Sequence, residues 1–132
     1  MMSLWNGGRR RGTSKAAKGA RAEQLALDYL RQQGLTSLSR NFRCRFGEID
    51  LVMRDAECLV FIEVRYRSAN RYASAALSVD ARKQAKIVRT ATYFLSRNQY
   101  LSDCPVRFDV VAFDSPEDDR DKLQWTKDAF RV

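Results

Sequence analysis

Two carboxylates and a guanidinium set in adjoining apolar runs, Asp50 in the first and Glu63 with Arg65 in the second, are the strongest chemical signal in this 132-residue chain. Hard carboxylate oxygens on neighbouring strands can hold Mg²⁺ or Mn²⁺, and such a cation steadies an attacking water against a phosphodiester. A carboxylate buried in an apolar strand without a partner is costly or takes up a proton, and a metal ion removes that difficulty. On spacing alone a structural role stays open beside this one, with Glu63 and Arg65 merely pairing with Asp50 across the strands. The chain has no histidine. That excludes Ser-His-Asp and Cys-His catalysis, histidine-containing zinc sites and nucleases with a histidine base.

The elements that must hold these groups follow from pattern. Residues 46–53 and 59–67 are rich in β-branched and aromatic types around polar Asp55-Ala56-Glu57, which predicts an antiparallel hairpin. Alternation puts Glu48, Asp50 and Val52 on one face and Ile49, Leu51 and Met53 on the other; Leu59, Phe61, Glu63 and Arg65 share a face of the second strand. That strand is apolar on both sides, as in the middle of a sheet. Upstream, Leu25, Ala26, Tyr29 and Leu30 predict a helix from a Ser14 cap to about residue 33, ended by Gly34, with Glu23 away from Leu25. A strand over 35–45 then turns Leu38, Phe42 and Cys44 inward. Arg40, Arg43 and Arg45 on it suit either a charged edge or phosphate contact, and Gly47 suits a bulge or a close approach beside the acids. Downstream, a helix over 80–98, capped by Ser78 or Asp80, buries Ile87, Val88, Ala91, Phe94 and Leu95. A strand over 106–113 and a final strand or helical turn over 123–130 complete the order αβββαβ, an α/β layer fold.

Twenty-four Lys and Arg against sixteen Asp and Glu leave a net charge of +8, which favours a polyanionic partner through counterion release, nucleic acid first. Arg82, Lys86 and Arg89 recur at helical spacing as a basic stripe, with Lys83 beside them, and the run holds no acid after Asp80. Residues 67–77 mix Tyr72 with Arg67, Asn70 and Arg71, a composition suited to stacking on bases and gripping phosphates. Residues 1–14 carry a triple arginine and no signal-peptide core; they read as a flexible basic arm, and 15–132 as a single domain. Cys44, Cys58 and Cys104 lack CxxC spacing, form no disulfide framework and fit a reducing cytoplasm. No apolar run reaches the length of a membrane span, so no membrane partner is expected.

The run Arg40-Asn41-Phe42-Arg43-Cys44-Arg45-Phe46-Gly47-Glu48-Ile49-Asp50-Leu51-Val52, followed by Val60-Phe61-Ile62-Glu63-Val64-Arg65-Tyr66-Arg67, resembles the YraN family of small bacterial proteins. Glu23, Lys83 and Arg107-Phe108-Asp109-Val110-Val111 extend the similarity over roughly residues 15–130. The resemblance implies a restriction-endonuclease-like core of the PD-(D/E)xK superfamily, similar to archaeal Holliday-junction resolvases. In such a core a mixed central sheet is flanked by helices, with parallel pairing of the last strands. By the same similarity Asp50 and Glu63 fall on metal-binding acids, Glu23 on an auxiliary helix acid, and Arg65 on the position usually held by lysine. Ala22 stands where the family often has glycine.

The implied centre is Asp50, Glu63 and the backbone carbonyl of Val64 around Mg²⁺ or Mn²⁺, with Arg65 steadying the scissile phosphate. Arg43, Arg45, Arg67, Arg82, Lys83, Lys86 and Arg89 would bind nucleic acid, DNA rather than RNA. The expected function is a metal-dependent DNA endonuclease acting on branched or recombining DNA, as a homodimer because two strands must be cut symmetrically. The alternative is a nuclease fold that keeps the basic surface, cuts nothing, and serves DNA uptake, repair or recombination through partners. A metal-free RNA-binding protein fits the charge but leaves the inward acids unexplained.

Overall fold

A strand that is apolar on both faces needs a helix over each. The computed structural model, which describes residues 15–67, 79–114 and 123–131, supplies both. The chain runs α1 (Lys15–Gln32), β1 (Thr36–Cys44), β2 (Gly47–Asp55), β3 (Cys58–Arg67), α2 (Ala81–Ser96), a 3₁₀ turn (Gln99–Leu101), β4 (Val106–Asp114) and β5 (Leu123–Phe130). The strands lie in sequence order in one five-stranded sheet. β1, β2 and β3 form an antiparallel meander, β4 lies parallel to β3 after the α2 crossover, and β5 returns antiparallel on β4. The fold is therefore the mixed α/β sheet flanked by helices that the resemblance implies, consistent with a nuclease-like core. Segment 123–130 resolves as a strand rather than a helical turn.

Each sheet face has its own core. Ala22, Ala26, Leu27 and Leu30 of α1 cover Leu51, Met53, Val60, Ile62, Val111 and Phe113. Ile87, Ala91 and Phe94 of α2 cover Val52, Leu59, Phe61, Val110 and Ala112 on the other face. Burying each such large side chain stabilises by about 1.5–3 kcal/mol. Asp80 caps α2 by accepting from the Lys83 N–H at 2.8 Å, satisfying one of the orphan donors of the first turn. Gly34, at φ +102°, ends α1 in the left-handed conformation that favours glycine. Among the described residues no helix is long and apolar enough to cross a membrane. The 1–14 arm with Ser14, the 68–78 segment with Ser78, the acidic 115–122 turn and the Arg67 side chain lie outside the described residues.

Two local expectations are overturned. Leu38 is 39% exposed rather than inward, because the β1–β2 register slips between Ser37 and Ser39; Leu38 is the extra residue, and the bulge turns it out. Ile49 packs with Val52 beneath α2, not with Leu51 and Met53 beneath α1. Strict alternation thus fails at Asp50, and β2 changes phase where the carboxylate sits.

The Arg107-Phe108-Asp109 run secures the far edge of the sheet. Asp109, 1% exposed, accepts from Arg107 Nε at 2.9 Å and Nη2 at 3.0 Å, from Trp125 Nε1 at 3.0 Å and from the Asp128 N–H at 2.8 Å. Arg107 Nη2 also reaches Asp55 Oδ2 at 3.1 Å. Asp109→Ala would leave Arg107 with only Asp55 to pair with and two further donors without their acceptor, so it should cost about 3 kcal/mol. A denaturant midpoint unchanged by the substitution would show that this clamp carries no stability.

Candidate functional site

The β2–β3 ladder runs from Asp55↔Cys58 to Leu51↔Ile62. The next pair would be Asp50 and Glu63, and there the Asp50 side chain takes over from the backbone: Oδ2 accepts the Val64 N–H at 2.8 Å. Asp50 and Glu63 are 8% and 9% exposed. α1 brings Glu23 into hydrogen-bond contact with Asp50 and with Asn41. Asn41 sits in β1 at φ +51°, a left-handed conformation that Asn tolerates better than most residues. Glu63 also bonds to Asp50. Asp50 therefore interacts with both of the other carboxyls, Glu23 and Glu63.

All three are raised from their ordinary values. Burial pushes Glu63 up to about 7, and the Asp50 charge adds to it against the opposing pull of Lys83 and Arg65. Burial also raises Asp50, against the lowering effect of the Val64 N–H and the Glu23 contact. Glu23 is raised first by burial and then by the Asp50 charge, while Asn41 and Arg40 relieve it. Like charges gathered in a low-dielectric place call for a shared proton or a cation.

The residues present fit a hard divalent cation. Asp50 and Glu63 offer buried carboxylate oxygens whose mutual repulsion a cation would neutralise, and Mg²⁺ commonly takes one or two carboxylates and completes its shell with water. Among the described residues no three or more Cys, Asp or Glu side chains are gathered as a ready-made cage. Val64 meets the site through its N–H, and in an extended residue the carbonyl leaves the strand on the same edge.

Two cations flank the acids. Arg65 is half-buried, and its Nε is fully buried without a hydrogen-bond partner; such a donor costs about 1–3 kcal/mol unless something accepts from it. Lys83 Nζ lies 3.7 Å from Glu63 Oε2. Sequence reasoning set Lys83 with the basic stripe and missed its link to the acids. Its position one turn before Ile87, whose side chain is 3% exposed, was the available signal, because residues four apart share a helix face. Arg82, Lys86 and Arg89 lie on the exposed surface as expected.

The family model described as "Uncharacterised protein family UPF0102" matches residues 22–113. The chain belongs to this family. A UPF0102 protein of Nitrosococcus oceani is 49% identical over 115 residues, covering 87% of this chain and 92% of that protein. A UPF0102 protein of Nitrosomonas europaea is 44% identical over 118 residues, 89% of this chain and 97% of its own length. Another, from Pseudomonas putida, is 47% identical over 117 residues, 89% and 94%. The YraN resemblance is thereby borne out as a family assignment. The UPF0102 match spans the acids and the cations that flank them, from Glu23 on α1 to Lys83 on α2.

Beside the acids, the UPF0102 chain opens a pocket of about 310 Å³ lined by Arg43, Gly47, Glu48, Lys83 and Lys86 among others. Gly47, at φ +149°, lets the β1–β2 turn settle onto α2: a Cβ there would come within 3.1 Å of Thr90 Oγ1. Arg43 is exposed, and its ion pair with Glu48 is long, 3.8 Å, so both charges remain available to a ligand. Arg45 is exposed on the same turn.

Proposed function

We propose that this UPF0102 chain is a Mg²⁺- or Mn²⁺-dependent endodeoxyribonuclease acting on branched or recombining DNA. The observation that carries the reading is the buried Asp50 and Glu63 pair at the point where the β2–β3 ladder ends. Asp50 and Glu63 hold the cation, which when bound supplies Lewis acidity toward a phosphodiester. The chain's own groups do the rest. The Val64 N–H fixes the orientation of Asp50, and Glu23, held by Asn41, buttresses its other side. Arg65, half-buried beside Glu63, brings a guanidinium charge to the phosphate, while the Lys83 ammonium offsets charge beside Glu63. Exposed Arg43, Lys86 and Arg89 neutralise the strand backbone. A homodimer would set two such sites on opposite strands.

A second reading, a nuclease fold that binds nucleic acid without cutting, is favoured by Arg65, since a guanidinium does not exchange its proton at working pH. The two readings part in a cleavage assay across linear, nicked, flapped and four-way DNA with Mn²⁺. The nuclease reading expects cleavage of a branched substrate by wild type and none by Asp50→Asn. Wild type indistinguishable from that control on every substrate would leave the binding reading in its place.

A further inference from the structure

We infer that Arg45, Phe46, Arg89 and Tyr93 form a subsite for an unpaired base of a DNA strand, which rests on the reading above that DNA is the partner. Where the β1–β2 turn meets α2 there is a cavity of about 390 Å³, lined by Arg45, Phe46, Arg89, Thr92, Tyr93 and Ser96. Its walls carry two aromatic rings, two guanidiniums and no acid. The Phe46 and Tyr93 rings are 5.9 Å apart and inclined at 59°, so neither is stacked face to face on the other. The Arg45 guanidinium lies 4.8 Å from the Phe46 ring centroid. Aromatic faces and guanidinium planes are the two surfaces on which unstacked bases settle. The Thr92 and Ser96 hydroxyls donate to the Val88 and Tyr93 carbonyls, which leaves their oxygens as acceptors for a base N–H.

Charge favours the same occupant. Arg45 and Arg89 are exposed, and neither takes part in an ion pair among the described residues. The pocket beside the acids lies across the same turn, with Gly47 next to Phe46 and Lys86 one helical turn before Arg89. From Lys83 to Tyr93 the α2 axis covers about 15 Å, or about four nucleotides at the duplex rise of ~3.4 Å. A base inside a duplex has both faces covered by its neighbours, so only a strand that has left the duplex can place one here. The subsite therefore reads the branch itself, a flap or an open junction arm, and sets it a few nucleotides from Glu63.

Binding measured in EDTA keeps the test independent of cleavage. The probes are a duplex with a short single-stranded DNA flap carrying 2-aminopurine and the fully paired duplex of the same sequence. Wild type is expected to prefer the flapped DNA and to quench the 2-aminopurine. Phe46→Leu and Tyr93→Leu should each weaken flap binding roughly ten-fold and remove the quench, with the paired duplex unaffected. Arg45→Ala, at an exposed position, should lower flap affinity more than duplex affinity and reduce the salt slope on the flapped DNA by about one; it carries the test if a ring variant does not fold, and equal losses on both probes overturn the subsite. Equal wild-type binding to both probes, or equal losses on both in the ring variants, overturns the subsite while leaving DNA as the partner. Tighter binding of an RNA flap overturns the assignment to DNA. Wild type that binds neither probe overturns the subsite and the DNA reading together.

Discussion

Glu63→Gln is expected to stabilise the metal-free protein above neutral pH while lowering DNA cleavage by about 10³, two effects of opposite sign from one substitution. The Glu63 carboxyl is pushed from 4.5 up to about 7 by burial and by Asp50. The folded protein thus holds this proton more tightly than the unfolded chain does. Its contribution to stability is present in full below the unfolded value of 4.5 and is lost as pH rises through about 7. At roughly 1.4 kcal/mol per pKa unit, the loss amounts to about 3 kcal/mol. Glutamine keeps the shape, carries no charge and relieves Asp50, so the decline should flatten. A divalent cation compensates the same charges, and Mn²⁺ should therefore raise the wild-type Tm more above neutrality than at mildly acid pH. Cleavage should fall by about 10³, because an uncharged amide cannot replace a carboxylate that stabilises developing charge. Denaturation at a series of pH values, with and without Mn²⁺, checks the first half; wild-type stability that climbs from mildly acid to neutral pH would contradict it.

The second large effect concerns which cation serves the phosphate. Arg65→Ala and Lys83→Met should each lower cleavage by about 10², the scale of removing one transition-state charge contact. Arg65→Lys should retain or raise activity, since the amine can both bear charge and exchange a proton, which a guanidinium does not do. The 3.7 Å approach of Lys83 Nζ to Glu63 adds a sharper expectation. If the α2 lysine supplies the amine that β3 lacks, Arg65→Lys should rescue Lys83→Met. Rates for the two single variants and the double variant decide this. A double variant as slow as Lys83→Met alone would confine Lys83 to holding Glu63 in place.

The hairpin and the two-sided apolar strand could be read from alternation and composition, because those signals are local, whereas the shared site of Asp50 and Glu63 came from the family resemblance. What escaped reading depends on contacts between distant elements or on breaks in regularity. The phase change at Asp50 and the outward turn of Leu38 arise from irregular β2 and β1 geometry, which a period-two pattern cannot express. Asn41 reaches Glu23 through a positive φ in a strand, a conformation that composition does not announce. Asp109 carries no local mark of its role, since two of its donors, Trp125 and Asp128, come from β5. Lys83 was readable in principle, by sharing a face with Ile87, but its basic neighbours on α2 outweighed that single spacing. The family assignment, in turn, supplies relatives and no activity, so the chemistry rests on the carboxyl cluster itself.

The most direct test of that cluster is a titration of Mn²⁺ into the purified protein, followed by electron paramagnetic resonance of the free ion at neutral pH. Wild type should bind Mn²⁺ saturably, Asp50→Asn and Glu63→Gln should not, and Arg82→Ala, exposed on α2, should behave as wild type. Binding that is equally strong in wild type and Asp50→Asn, or no binding by wild type at all, would contradict a cation site at the end of the β2–β3 ladder.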